Sequence, residues 1–195
     1  DDIETQRKGI HDYVTSVDKA AEAEIIEIIR KSYPEHTIIS EEAGALAGQD
    51  GDVQWIIDPL DGTTNFVKGL PHFAVSIAIR VKNRTEVGVV YDPIRNELFT
   101  AVRGEGAKLN ELRLRVDNKQ ELNGAIIATG FPFKQPQRMP TQFAIMQHLI
   151  EDCADFRRTG SAALDLCYVA SARVDGYFEM GLKAWDCAAG ELIAR

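Results

Sequence analysis

Asp58 and Asp61 stand three residues apart in the run Trp55-Ile-Ile-Asp-Pro-Leu-Asp-Gly-Thr-Thr-Asn-Phe66. The apolar stretch before Asp58 reads as a buried strand, and the carboxyl ends of such strands are where α/β sheets place ligands. Pro59 fixes its own φ, so the chain is expected to turn at once, and the three-residue offset lets both carboxylates aim at one point. Gly62 and Thr63 follow with free backbone N–H groups at an expected helix start, a common cradle for phosphate. Two carboxylates beside an anion would repel it and each other. Hard divalent cations remove that conflict, and oxygen-only donors select Mg²⁺ over zinc.

Two other acidic sites fit the same chemistry. Glu41-Glu42 closes the run Thr37 to Ser40, and Asp186 sits in Trp185-Asp-Cys-Ala-Ala-Gly190, at the first turn of an expected helix. Each has a plainer reading: a solvated loop for Glu41-Glu42, and for Asp186 a helix N-cap worth about 1 kcal/mol. The plain reading of Asp58 to Asn65 as an ornate turn is weaker, because a turn needs neither the second acid nor the paired threonines.

The elements that must position these residues are legible in outline. A polar lead-in, Asp1 to His11, is expected to be exposed. From Ser16 the pattern is helical, with Ala21, Ile25, Ile28 and Ile29 on one face, Asp18 and Glu22 in the first turns and Pro34 as the stop. Strands are expected over Thr37 to Ser40 and Val53 to Asp58. The runs His72 to Val81, Thr85 to Tyr91, Glu97 to Val102 and Leu109 to Val116 are separated by turn residues and predict an antiparallel meander. The last third alternates: strand Gly124 to Thr129, helix Thr141 to Glu151, helix Ser161 to Val174, strand Gly176 to Met180 and a helix from Asp186. The expected class is α+β, a layered αβαβ(α) sandwich with one or two linked sheets, and residues 1–195 are expected to form a single domain.

Composition excludes much else. In 195 residues, 45% are hydrophobic and 27% charged, enough for a core and too polar for a membrane protein; the longest apolar run is Leu166 to Ala170. The net charge of −8 opposes direct grip on nucleic acid or anionic lipid and permits a cation-gathering site. Cys153, Cys167 and Cys187 are odd in number and widely spaced, which implies no disulfide framework and fits a reducing cytoplasm. The start at Asp1 without methionine predicts a missing N-terminal piece and not a secretory signal.

With these runs in view, the sequence resembles the inositol monophosphatase family of Mg²⁺-dependent, lithium-sensitive phosphatases. The resemblance covers essentially the whole chain. It rests on Asp58 to Phe66 and Trp185 to Gly190, supported by Asp12-Tyr-Val-Thr-Ser-Val-Asp18 and Ser40-Glu-Glu-Ala43. It implies that Glu41, Asp58 and the Leu60 carbonyl hold one Mg²⁺, and that Asp58, Asp61 and Asp186 hold a second. It implies that Thr63 and Asp18 orient the attacking water, with Glu41 helping to activate it, and that the Gly62 and Thr63 N–H groups hold phosphate oxygens. Asp61 and Asp186 would also face the substrate, while Glu179 and, more weakly, Gly160, Ser161 and Ala162 would contact its alcohol part.

The implied reaction is hydrolysis of inositol 1-phosphate and similar small polyol phosphate monoesters. Two cations would activate water for direct in-line attack. The family further implies a homodimer, and one of its branches is associated with transcription antitermination, which would make elongation factors or RNA polymerase partners. Two departures stand out: Ala43 replaces a common serine after the paired glutamates, and Lys183 occupies a variable position at the substrate rim. The implied fold normally has a further helix before this segment and a further αβ segment after it, so both ends are expected to be truncated.

Rival chemistries fit less well. An Asp-x-Asp phosphatase motif needs one intervening residue, and here there are two, one of them Pro59. A cysteine phosphatase needs arginine six residues after its nucleophile; that position is Thr159 after Cys153 and Ile193 after Cys187. Cys167 does have Arg173 at that spacing, but the residues between read as helix, which predicts core packing. Gly104-Glu-Gly106 lacks a third glycine, and His11, His36, His72 and His148 are too scattered for a zinc site. Arg157-Arg158 is expected to make a structural ion pair or a dimer contact.

Overall fold

The computed structural model describes residues 5–9, 12–116, 119 and 121–195, with side chains left undescribed at 6–9 and 12–14. It is a layered α+β structure around an eight-stranded mixed sheet. The chain opens on a hairpin, β1 (Thr5–Gly9) and β2 (Asp12–Thr15), where a polar lead-in was expected; His11 lies outside the described residues. Helix α1 (Ser16–Ser32) starts on a reciprocal cap: Thr15 accepts from the Asp18 N–H, and Asp18 accepts from the Thr15 N–H. Its buried stripe holds Glu22 and Ile29, with Ile25 and Ile26 partly covered, while Ile28 points to solvent against expectation.

The large sheet has the order β10-β9-β8-β7-β6-β5-β3-β4. Its members are β3 (His36–Ser40), β4 (Gly44–Leu46), β5 (Asp50–Asp61), β6 (Ala74–Val81), β7 (Arg84–Asp92), β8 (Glu97–Val102), β9 (Gly106–Leu109) and β10 (Leu112–Arg113). The β3–β5 pair is parallel and the other pairs are antiparallel, so the expected meander is present. The strand expected over Leu109 to Val116 is instead a hairpin. Asn110 and Glu111 both adopt positive φ and turn the chain without a glycine.

Alternation along β5 feeds two cores. Ile57 packs with Ile29 and Ile38 under α1, while Ile56 joins Phe99, Val90 and Ala78 on the opposite face. That second face is covered by α4 (Ala162–Ala170) and α5 (Ala184–Ala194). The small residues of α5 serve close approach: a Cβ at Gly88 of β7 would lie 2.8 Å from the Ala189 carbonyl oxygen, and one at Gly190 would lie 2.7 Å from Leu166 Cβ. Helix α4 is shorter than the expected Ser161 to Val174, because Ala172 adopts φ 55° and the Arg173 N–H closes back on the Tyr168 carbonyl.

Beyond these helices lies a three-stranded parallel sheet, β12-β11-β13, of β11 (Ile126–Thr129), β12 (Asp155–Arg157) and β13 (Gly176–Phe178). Helix α3 (Met139–Leu149) is tied to it through Gln142, whose Nε2 donates to Thr129 Oγ1 at 2.8 Å. Strands β4 and β12 had no counterpart in the sequence reading. No described helix is long and apolar enough to cross a membrane.

Candidate active site

The end of β5 does not turn at Pro59. The strand runs on to Asp61, and its register with β6 shifts between Asp58, opposite Ser76, and Asp61, opposite Ala74. Two residues, Pro59 and Leu60, therefore face the single Val75. In such a bulge the missing proline N–H costs no ladder bond. The bulge delivers Asp58 and Asp61 at the same strand end, where an abrupt turn was expected to do so. Asp58 is buried, and its Oδ1 accepts the Leu60 N–H at 3.0 Å.

Gly62 follows in a left-handed conformation, φ 93°, pressed so closely on the segment before β6 that a Cβ would stand 3.0 Å from the His72 carbonyl oxygen. A short helix, α2 (Thr63–Val67), starts there. The Thr63 hydroxyl lies 3.1 Å from Asp18 Oδ1 and 3.0 Å from the Leu60 carbonyl oxygen. Asp18 is buried and also accepts the N–H and hydroxyl of Thr15. Asn65 joins α2 to the loop before α4, donating to His72 O at 2.8 Å and Thr159 O at 2.9 Å.

Asp61 reaches across to α4: its Oδ2 accepts the Ser161 hydroxyl at 2.6 Å and the Ala163 N–H at 2.8 Å. Ser161 is itself the cap of α4. Asp186, in the first turn of α5, accepts the N–H of Lys183 at 2.6 Å, so Lys183 holds the cap position expected for Asp186.

Electrostatics single out these acids. Burial first, then the charges of Asp61, Glu41 and Asp186, push the Asp58 carboxyl well above the usual carboxylate range. Burial raises Asp61 to about 7, against the hydrogen bonds from Ser161 and Ala163, with Asp186 and Glu179 adding to the rise. Burial also raises Asp186, opposed by the Lys183 N–H and the charges of Lys134 and Lys183. The charges that act most on Asp58, those of Asp61, Glu41 and Asp186, are all negative. Among the described residues, no group of three or more His, Cys, Asp or Glu side chains is gathered tightly enough to hold a metal ion. The donor set nonetheless suits a hard cation: oxygen ligands only, desolvated, mutually repelling and without a basic partner at Asp58.

In front of these acids lies a cleft of about 520 Å³. Glu41, Asp61, Gly160, Ser161, Ala162, Glu179 and Asp186 line it, whereas Asp18, Asp58, Leu60, Gly62 and Thr63 do not. The Glu179 carboxylate is held by the Tyr177 hydroxyl at 2.7 Å and is raised chiefly by burial; Gly130 leaves it no spare room.

The sequence reading missed the other wall. Phe131, Phe133, Lys134 and Arg158 line it, with the Arg158 guanidinium 5.7 Å from the Phe133 ring centroid and Lys183 nearby in the lining. The Gly130-Phe-Pro-Phe-Lys run after β11 was the available signal. Asp165 was missed as well. It lines the cleft from α4, accepts the Thr159 hydroxyl at 2.7 Å and is raised to about 7, mainly by burial.

Other expectations resolve simply. Arg157 pairs with Asp155 on its own strand, while its neighbour Arg158 faces the cleft. Cys167 packs in the core, where burial pushes its thiol up and away from nucleophile chemistry. His36 accepts the Trp55 indole N–H at 3.0 Å.

The model of the inositol monophosphatase family matches residues 1–195. The chain is 80% identical over 195 residues to the Nus factor SuhB of Haemophilus influenzae, covering 73% of that protein, and 67% identical to the Nus factor SuhB of Escherichia coli K12 over the same span. Among solved structures it is similar to the extragenic suppressor protein SuhB of Bartonella henselae, at 42% identity, covering 99% of this chain and 74% of that one with a TM-score of 0.95. It is also similar to an IMPase/NADP phosphatase complexed with Mg²⁺ and phosphate, at 28% identity, covering 98% and 71% of the two chains with a TM-score of 0.85.

Proposed function

The chain belongs to the inositol monophosphatase family, and on that premise we propose that it is a Mg²⁺-dependent phosphomonoesterase acting on inositol 1-phosphate and similar small polyol phosphates. One observation carries this reading: the buried Asp58 carboxyl feels the negative charges of Asp61, Glu41 and Asp186, three acids that line the cleft. Glu41, Asp58, the Leu60 carbonyl, Asp61 and Asp186 would hold Mg²⁺. When bound, the ions would supply charge neutralisation and an activated water.

The chain's own residues do the rest. The Thr63 hydroxyl, steered by Asp18, orients the water, and Glu41 takes up its proton. The N–H groups of Gly62 and Thr63 hold phosphate oxygens at the bulge. Glu179 and the stretch Gly160–Ser161–Ala162 receive the alcohol part, and direct attack inverts phosphorus. Residues 1–195 act as one domain of a cytoplasmic homodimer.

The test is a steady-state assay with inositol 1-phosphate, with and without Mg²⁺ and Li⁺. Release of phosphate that needs Mg²⁺ and falls with Li⁺ supports the reading; no release under any cation contradicts it.

The names of the bacterial relatives favour a second reading, as a protein partner in transcription antitermination. The net charge of −8 favours contact with elongation factors or RNA polymerase over direct RNA grip. Pull-down of purified elongation factors by the Asp58→Asn variant separates the two roles, since a partner surface survives loss of a metal ligand.

A further inference from the structure

Glu22 is a glutamate in the middle of a helix, in a stretch where Glu24 and Glu27 are exposed, yet only 6% of it is accessible. Its Oε1 accepts from three donors of one short segment: the Ser40 hydroxyl, the Glu42 N–H at 3.0 Å and the Ala43 N–H at 3.1 Å. These donors bracket Glu41. The Glu41 N–H is used as well, donating to the Ile57 carbonyl at 3.2 Å on the strand that carries Asp58. The backbone of Glu41 is thus fixed from both sides and from beneath, while its side chain lines the cleft.

An apolar residue at position 22 would serve packing alone better, because burying a carboxylate costs free energy unless it gathers hydrogen bonds. The turn between β3 and β4 needs an acceptor for its inward-pointing amides, and Glu22 is that acceptor. Ala43 has no polar side chain to brace the turn, so its hold runs through its backbone N–H. We propose that Glu22 is a positioning residue: it fixes the Ser40 to Ala43 turn so that the Glu41 carboxylate faces Asp58, and thereby sets how tightly the site holds a divalent cation. The part of this claim that concerns the cation rests on the proposed function; the hold on the turn does not.

The test uses the full chain as wild type, Glu22→Gln and Glu22→Ala. Amide hydrogen exchange is read at Glu42 and Ala43, calorimetric titration is done with Mg²⁺ alone, and Mg²⁺-dependent turnover is assayed with inositol 1-phosphate. Glu22→Gln keeps the shape and one acceptor oxygen. It is expected to speed exchange at both amides and to weaken Mg²⁺ roughly tenfold, with kcat at saturating Mg²⁺ changed by no more than about threefold, in line with the effect of outer-shell partners on metal affinity. Glu22→Ala should do more of the same while amides in β5 to β7 stay protected, and if it fails to fold, Glu22→Gln carries the test. Adding Glu22→Gln to Glu41→Gln should weaken Mg²⁺ no further.

Unchanged exchange at Glu42 and Ala43 overturns the hold on the turn. Faster exchange with an unchanged Mg²⁺ titration overturns the link to Glu41. A wild-type chain that takes up no Mg²⁺ contradicts the two-cation reading instead, and amide exchange then decides the role of Glu22 by itself.

Discussion

Two sets of carboxylates meet near the end of β5, and they are treated differently. Asp18 and Glu22, both on α1, are supplied with donors: three for Asp18, from Thr15 and Thr63, and three for Glu22, from the Ser40 to Ala43 turn. Asp58 has the single N–H of Leu60 and otherwise faces Asp61, Glu41 and Asp186. Asp58 is buried as Asp18 and Glu22 are, so burial does not mark a working acid. The supply of donors does: Asp18 and Glu22 spend their charge on holding backbone and hydroxyl groups in place, and Asp58 leaves charge for something the chain does not itself provide.

Substitutions should separate the two sets, and the largest effect belongs to the second. Asp58→Asn is expected to reduce Mg²⁺-dependent phosphate release by on the order of 10³-fold or more while circular dichroism shows an unchanged fold. Retained turnover would remove Asp58 from the metal site. Thr63→Ala, which cuts the link between Asp18 and the Leu60 carbonyl, should lower kcat by on the order of 10²-fold, with Thr63→Ser restoring most of it. An equal loss in both variants would show that the hydroxyl does not matter.

Metal-free stability should move in opposite directions in the two sets. Asp61 has its carboxyl raised from 3.8 to about 7 in the folded chain, so the folded state keeps a proton that the unfolded state releases. Its contribution is fully present below pH 3.8 and is lost as pH rises through about 7. In EDTA, Asp61→Asn should therefore melt higher than wild type at pH 8, by roughly 1–3 kcal/mol of stability, with the gap closing near pH 4. Wild type melting higher at pH 8 would mean that the hydrogen bonds from Ser161 and Ala163 outweigh the cost of burying the Asp61 charge. In the first set the sign reverses and the effect is smaller: Thr15→Val, which removes a donor from Asp18 and the cap of α1, should cost about 1 kcal/mol in a thermal melt.

How much of this was readable in the sequence follows the same division. Asp58 and Asp61 announce themselves, because they lie three residues apart in a segment whose turn needs neither the second acid nor the paired threonines. The geometry that joins them was misjudged, since Pro59 reads as a strand breaker and only the pairing with β6 reveals a bulge. Glu22 was hidden, because in the helix pattern it resembles its exposed neighbours. Its burial comes from a turn about twenty positions later, which no local periodicity encodes. Asp165 and Arg158 were hidden for the same reason: each faces the cleft only because α4 and the small parallel sheet bring it there. The layers were legible from alternation, and the Asn110-Glu111 turn was not, because positive φ without glycine leaves a faint signature.

The central claim, that acids from three separated segments enclose divalent cations, is met most directly by anomalous X-ray scattering from crystals soaked in Mn²⁺. The account predicts peaks bounded by Asp58, shared with Glu41 on one side and with Asp61 and Asp186 on the other. Crystals that take up Mn²⁺ elsewhere and leave no peak beside Asp58 would contradict it.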